Sequence, residues 1–292
     1  MTAFFRSVRD YFSLVKFSHT VFAMPFALIG FSLAISKPGF SLNIRLLILV
    51  ILCMIFARNT AMGFNRLADK NFDALNPRTR NREIPSGRIT SRAAALFVII
   101  NAILFIVTTG FINHLTLFLS PVALLVIISY SLTKRFTSLC HFILGLGLSL
   151  APIGAYISVT GKFDLLPVIY SFIVLSWCSG FDIIYALQDD EFDRSTMLHS
   201  LPSATGRKKA LTISIFVHII TFVLVLTAGF YGNGGMFFWI GATIFSVLLI
   251  YQHSIVRHDD ISRVTMAFGT TNGIASILFA IFVILDLISR HN

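Results

Sequence analysis

The sequence predicts an all-α membrane protein, one domain over residues 1–292 with about nine transmembrane helices. Three observations carry this. Of the residues, 56% are hydrophobic and only 12% charged, where a soluble domain carries roughly 25% charged residues. Uncharged runs of about twenty residues recur from end to end, the length a helix needs to cross a bilayer. The charges fall between those runs and are mostly cationic, giving a net charge of +10. In a soluble domain that balance points to nucleic acid. Here the cations occupy short loops, where they set topology and meet phosphate, so no nucleic-acid partner is expected. Thirty phenylalanines suit a lipid-facing surface or an apolar tunnel.

Residues 1–17 are expected to form an interfacial amphipathic helix. Phe4, Phe5, Val8, Phe12 and Val15 share one face, and Arg6, Arg9, Asp10 and Lys16 occupy the others. Spans follow at 18–36, 43–68, 92–112, 115–132, 139–160, 165–187, 210–231, 234–252 and 265–288. The first apolar run lacks a small-residue cleavage pattern, so it is read as a retained helix. Pro25, Pro121 and Pro152 fall inside spans and are expected to kink them. Gly145, Gly147, Ala151 and Gly154 crowd one span, either for close helix packing, the favoured reading, or to leave room for a substrate. Cys53, Cys140 and Cys178 have no metal or redox spacing and are read as small packing residues.

Cations precede the first span (Arg6, Arg9, Lys16) and join spans two and three (Arg66 to Arg92), four and five (Lys134, Arg135), six and seven (Arg194 to Lys209), and eight and nine (Arg257, Arg263). The alternate loops and the tail hold little beyond Lys37, Arg45, Lys162 and Arg290. The positive-inside rule therefore places the amino terminus in the cytoplasm, and an odd number of spans places the carboxyl terminus outside.

Two stretches carry the chemistry. In the first, Asn65, Asp69 and Asp73 sit four residues apart, on one face if helical. Two carboxylates and an amide oxygen on one stripe suit Mg2+, which takes one or two carboxylates and completes its shell with water and substrate phosphate. Arg78, Arg80, Arg82 and Arg88 follow, and guanidinium groups suit phosphate oxygens. In the second, Asp189 and Asp193 repeat the spacing, followed by Arg207, Lys208 and Lys209. Facing each other, the two describe a site for a magnesium diphosphate. Asp190 and Glu191 point elsewhere and are read as solvated charges, with a place in a metal shell as the alternative for either. Each stretch runs from an apolar span through D-x-x-x-D to Ile84-Pro85-Ser86 or Leu201-Pro202-Ser203, a weak internal duplication of four spans per half with a ninth at the end. Arg58 and Asp182 lie deeper, each seven residues before its motif at Asn65 or Asp189. Intramembrane charges face a cavity or a partner, so an Arg58–Asp182 pair is one reading. His19 and His199 lie near the cytoplasmic face, outside the core site.

The segments NRLADKNFD (65–73) with NPRTRNREIPSG (76–87), YALQDDEFD (185–193) with HSLPSATG (199–206), and more weakly YSLTKRFT (130–137), resemble the UbiA superfamily of intramembrane prenyltransferases. The resemblance covers nearly the whole chain. It departs at Arg66, where the family often has Asp, at Met197, where Gly is usual, and at Glu83, where Pro is usual. It implies a UbiA-type helical bundle whose loops 69–91 and 188–209 cap the cytoplasmic side of a bacterial inner membrane. Asp69, Asp73, Asp189 and Asp193 would be catalytic and, with Asn65, hold Mg2+. Arg78, Arg82, Lys134 and Tyr130 would bind the diphosphate. Arg58, Asp182 and Tyr185 would bind the acceptor, Arg58 taking an aromatic carboxylate.

The opening FSHTVFAMPFALIG and the segment ARNTAMGFNRLAD look like the quinone-pathway branch of that superfamily. The implied reaction moves a polyprenyl group from a polyprenyl diphosphate to a hydroxylated aromatic acid, a dihydroxynaphthoate or 4-hydroxybenzoate, for menaquinone or ubiquinone. No protein partner is implied. A UbiA-type enzyme with a different acceptor is the nearest alternative. A secondary transporter with intramembrane charges is the more distant one, disfavoured because the motifs lie at span ends.

Overall fold

Apolar side chains all round a helix can only be hidden in protein or lipid, and this chain uses both. The computed structural model describes residues 9–15 and 22–290. Within them the helices are α1 (residues 9–14), α2 (Met24–Ile35), α3 (Ile44–Ala68), α4 (Lys70–Leu75), α5 (Ser91–Gly110), α6 (His114–Thr133), α7 (Cys140–Thr160), α8 (Leu165–Ala186), α9 (Asp190–Ser195), α10 (Leu201–Thr205), α11 (Arg207–Tyr231), α12 (Met236–Ile255) and α13 (Asn272–Ser289). A π-helical turn, Met266–Thr271, leads into α13. Several starts are written locally: the side chains of Asn43, Thr90 and Asn113 accept from backbone N–H groups of the first turns of α3, α5 and α6. Gly161, at φ 65°, closes α7 in the left-handed conformation.

Eight of the described helices are long and apolar enough to cross a membrane. The first predicted span, 18–36, is described only from residue 22. Its described helix, α2, has 12 residues, about 18 Å at 1.5 Å per residue against a hydrocarbon core of about 30 Å. It is packed against α7 and α13 and largely buried, Phe26, Ala27 and Ile29 having no exposed surface. Pro25 lies in its first turn, where proline starts a helix, so the expected kink does not arise there. Pro121 and Pro152 do lie inside α6 and α7. The predicted amphipathic helix is described only at α1. Arg6, Lys16 and His19 are outside the described residues. Leu14 of α1 is buried with Ile84, Ile89 and Ala94, while Phe12 is 54% exposed.

The core is aromatic. Trp177 of α8 sits between Phe26 and Phe245, with Phe181 edge-on to it. Its indole N–H donates to Asn272 Oδ1 at 2.9 Å, and Asn272 in turn donates to Gln252 at 3.0 Å. This satisfies polar atoms that neither lipid nor core can. The faces of α5 and α11 away from the core keep Ile99, Ile103, Phe216 and Ile219 about half exposed, as a lipid-facing surface requires.

The small residues of α7 divide between both expected roles. A Cβ on Gly145 would lie 2.5 Å from the Leu175 carbonyl oxygen, so Gly145 permits α7 and α8 to touch. Gly154 faces open space instead, Gly147 has only Ile127 Cα at 3.9 Å, and both line a cavity. The closest approach is between α2 and α7, where a Cβ on Gly30 would lie 2.0 Å from the Pro152 carbonyl oxygen. Backbone cannot swing aside as a side chain can. Gly30→Ala is therefore expected to destabilise by about 1–3 kcal/mol, the cost of overpacking. The check is thermal unfolding of the detergent-solubilised protein beside Gly154→Ala, which is expected to change little.

The loops between α3 and α5, between α8 and α11, and after α6 meet at one end of the bundle. Arg78 bonds Asp189, and the His199 N–H donates to the Lys134 carbonyl at 2.7 Å. The predicted loops 69–91 and 188–209 are thus brought together, and they contain the short helices α4, α9 and α10.

Candidate active site

The acidic motifs stand where long helices break. α3 ends at Ala68, Asp69 adopts a non-helical φ/ψ of −91° and 6°, and α4 resumes. Backbone bonds from Asp69 N to Asn65 O (2.9 Å) and from Asp73 N to Asp69 O (2.8 Å) keep the three residues on one stripe through the break. α8 and α9 do the same at Asp189, and Asp193 N donates to Asp189 O at 2.7 Å.

Each carboxylate meets a cation from another part of the chain. Arg78 grips Asp189 with both Nε and Nη2, and Asn76 donates to the same carboxylate at 3.0 Å. Arg78 Nη1 also donates to the Tyr185 hydroxyl at 2.9 Å. Arg82 reaches Asp73 Oδ1 at 2.7 Å, and Lys134 reaches Asp193 Oδ1 at 2.7 Å. Arg135 lies 3.7 Å from Asp69 while donating to the Ala68 carbonyl that ends α3. Asn65 donates to Asp69 Oδ2 at 3.0 Å.

These partnerships tune the charges differently. Burial pushes Asp189 up, but Arg78 outweighs it and holds the carboxyl below its ordinary value. Burial pushes Lys134 down, but Asp193 outweighs it and raises the ammonium. For Asp193 burial prevails over Lys134, and the carboxyl is raised. Asp69 is raised from 3.8 to about 6 by burial and then by Asp73. Between those values the folded chain keeps a proton that the unfolded chain has shed. The resulting stabilisation is present at low pH and is lost as pH rises through about 6. In Mg2+-free buffer, Asp69→Asn is expected to flatten the decline in melting temperature over that interval, which a pH series of melting curves measures.

The deeper pair does not form. Asp182 Oδ2 accepts from His141 Nδ1 at 2.7 Å, and His141 Nε2 accepts from the Leu201 N–H at 3.2 Å. His141 therefore ties Asp182 to the start of α10, a link that a lone histidine inside an apolar run did not announce. Arg58 instead donates from Nη2 to the Val15 carbonyl at 3.3 Å, which fastens α1 over the bundle end. Asp190 corrects a second expectation. It is 2% exposed, held by Arg207 at 2.8 and 3.0 Å and by Arg194 at 3.0 Å, and so is no solvated charge. Glu191 is exposed as expected, though Arg207 reaches it at 3.1 Å.

A cavity of about 370 Å³ runs from this mouth into the bundle. Arg58, Met62 and Tyr130 line it at the motif end, and Thr109, Thr116 and Phe163 at the far end. Its walls are the stripes of α3 at Val50, Met54, Arg58 and Met62, and of α6 at Thr116, Ala123, Ile127 and Tyr130. At 1.5 Å per residue the α3 stripe extends about 18 Å, so the cavity is long and narrow.

The profile of the UbiA prenyltransferase family matches residues 23–282. The chain belongs to the UbiA prenyltransferase family. It is thus a membrane-embedded prenyltransferase, which sets the transporter reading aside. The 4-hydroxybenzoate octaprenyltransferase of Francisella tularensis (strain WY96-3418) is 27% identical over 248 residues, covering 85% of this chain and 86% of that one. The 4-hydroxybenzoate octaprenyltransferase of Tolumonas auensis is 28% identical over 244 residues, covering 83% of each. Among solved structures, an apo UbiA homologue from Aeropyrum pernix K1 superposes with a TM-score of 0.79 at 26% identity, covering 94% of this chain and 98% of that one. A UbiA homologue from Archaeoglobus fulgidus bound to DMAPP and Mg2+ shares the fold, with a TM-score of 0.77 at 20% identity over 96% of this chain and 99% of that one.

The UbiA prenyltransferase family includes that Mg2+-bound member, and the donor set here fits the ion. Asp73 Oδ2 is buried without a hydrogen bond, and Asp193, fully buried, is answered by Lys134 at 2.7 Å. Among the described residues no three His, Cys, Asp or Glu side chains converge as a protein cage. Mg2+ needs only one or two carboxylates, with water and phosphate completing its shell.

Proposed function

We propose that this enzyme transfers a polyprenyl group from a polyprenyl diphosphate to a ring carbon of a hydroxylated aromatic acid, with Mg2+, in quinone biosynthesis. The acceptor is a dihydroxynaphthoate or 4-hydroxybenzoate. One observation carries the reading: a long apolar cavity ends at Arg58, Met62 and Tyr130, on the two helices whose next turns carry Asn65, Asp69 and Lys134 into the group of paired carboxylates and cations. Such a cavity suits an isoprenoid tail, and such a mouth suits its diphosphate.

Asp69, Asp73, Asp189 and Asp193, with Asn65, would hold Mg2+, which neutralises the diphosphate when bound. Arg78, Arg82 and Lys134, with Tyr130, receive the phosphate oxygens. In the structure these three cations neutralise the carboxylates directly. With the magnesium diphosphate bound, these cations would turn to phosphate and the carboxylates to the metal, so that the present ion pairs would not be broken without replacement. Arg58 holds the acceptor carboxylate, and Asp182 and Tyr185 position its ring. The bond between prenyl carbon and diphosphate oxygen breaks and the electron pair leaves with the diphosphate. The ring forms the new carbon–carbon bond and sheds its proton. The apolar cavity keeps water from the allylic cation.

The test is purified enzyme with Mg2+, one prenyl diphosphate and a panel of aromatic acids. Pyrophosphate release and a prenylated acid by mass spectrometry are expected, with both lost in EDTA. Turnover without an aromatic acid, or with none of the panel, would sink the acceptor assignment. The same reading puts the enzyme in a bacterial cytoplasmic membrane, with the amino terminus and both loops inside and the carboxyl terminus outside. Cysteines introduced at Ser86 and Ser203 should resist an impermeant reagent added to intact cells, and labelling of either reverses the orientation.

A further inference from the structure

Arg66 lies beside the first acidic motif and is 3% exposed. Its Nε is buried without a hydrogen-bond partner, and the guanidinium makes no hydrogen bond or ion pair with any described residue. Arginine keeps its charge and offers five donors, so such burial is costly unless something else supplies acceptors. The carboxylates around it, Asp73 and Glu83, make their ion pairs with other arginines, and only Asp73 Oδ2 is left without a bond. Asp73 Oδ1 is held by Arg82, and Glu83 by Arg88 and the Ser13 hydroxyl. The placement of Arg66 says what could reach it. Val50, Met54, Arg58 and Met62 wall the cavity at intervals of four residues, and Arg66 is the next position on that row, one turn beyond the lining.

We propose that Arg66 is an oxyanion-binding residue of this site, a built-in positive charge that takes an oxygen of the bound substrates. The assignment rests on the prenyl-transfer reading above. Two substrates present that chemistry, the donor through its diphosphate and the acceptor through its carboxylate. A guanidinium held ready at the mouth adds affinity for one of them without being consumed in the present ion pairs. It also explains why the fold accepts a buried cation next to Asn65: the charge is kept for a ligand, at some expense in stability.

The experiment is titration calorimetry of the full chain in detergent, with Mg2+ and inorganic pyrophosphate in one arm and 4-hydroxybenzoate in the other, alongside melting temperatures. Arg66→Gln is expected to weaken one arm by about tenfold or more, the loss of a charge-assisted hydrogen bond, and to leave the other within about twofold. The arm that falls names the oxyanion. The melting temperature should hold or rise, because an unpartnered buried charge has been removed. Both affinities unchanged would overturn the assignment. So would a fall of several degrees in melting temperature with both arms weakened alike, the signature of a structural arginine. Arg66→Lys provides a second variant that keeps the charge: it should bind the same anion more weakly, since the planar fork is lost, and wild-type affinity in both arms would count against the proposal. Wild-type protein that binds neither probe would remove the prenyl-transfer reading itself, and this assignment with it.

Discussion

Asp189→Asn is expected to lower kcat by about a thousandfold, in the range seen when a group stabilising developing transition-state charge is removed. The structure explains why the loss should be catalytic. Asp189 is the carboxylate that Arg78 grips with two nitrogens, and Asn76 and Tyr185 complete the same hydrogen-bonded group. Asparagine keeps the shape but removes the charge that would balance Mg2+ and counter the arginine. The Arg78 side chain is 31% exposed and that of Asp189 12%, so water can solvate the guanidinium once its partner is neutral, and the weakened charge-assisted bonds cost about 1.5–3 kcal/mol of stability. The melting temperature should therefore stay within a few degrees while turnover collapses. Single-turnover kinetics with saturating Mg2+ makes the comparison, and a mutant that retains a tenth or more of wild-type kcat would reject the two-motif site.

The second large effect is expected at Arg58. It lines the cavity where the apolar wall meets the charged mouth, across from Tyr130. A carboxylate leaving water for that position needs a charge-assisted partner, whose loss costs about 1.5–3 kcal/mol, roughly ten- to a hundredfold in affinity. Arg58→Ala should raise the acceptor KM by that factor and leave the diphosphate KM nearly unchanged, and Arg58→Lys should recover little. The expected Arg58–Asp182 pair does not compete with this role, because Asp182 is held by His141. The bond from Arg58 to the Val15 carbonyl does compete. If anchoring α1 is all that Arg58 does, both KM values should rise together and the melting temperature should fall. An unchanged acceptor KM would rule out carboxylate binding.

The long helices and the two acidic stripes were legible in the sequence because their causes are local. Lipid demands about twenty apolar residues per crossing, and the helix repeat places residues four apart on one side whatever surrounds them. Asn65, Asp69 and Asp73 therefore remain aligned even though α3 breaks at Asp69. The topological alternation of cations, likewise a matter of loop composition, matches the gathering of both motifs at one end.

What the sequence did not decide is which charge answers which. Arg78 and Asp189 are 111 residues apart, and Lys134 and Asp193 come from different halves of the chain. Nothing in the spacing marks them as partners, because Coulomb attraction depends on distance in space. For the same reason Asp190 read as a solvated charge until Arg207 and Arg194 were found around it. His141 drew no reading from the sequence, because its partners Asp182 and Leu201 lie 41 and 60 residues away. The burial of α2 is a related case: apolar content alone does not say whether a helix meets lipid or protein, and its packing against α7 and α13 does. The sequence by itself determined the solvent, the helices and the chemistry at each motif, since these follow from composition and a repeat of a few residues. The tertiary structure alone decided the pairing of charges and the burial of Arg66, since both depend on which distant segments come into contact.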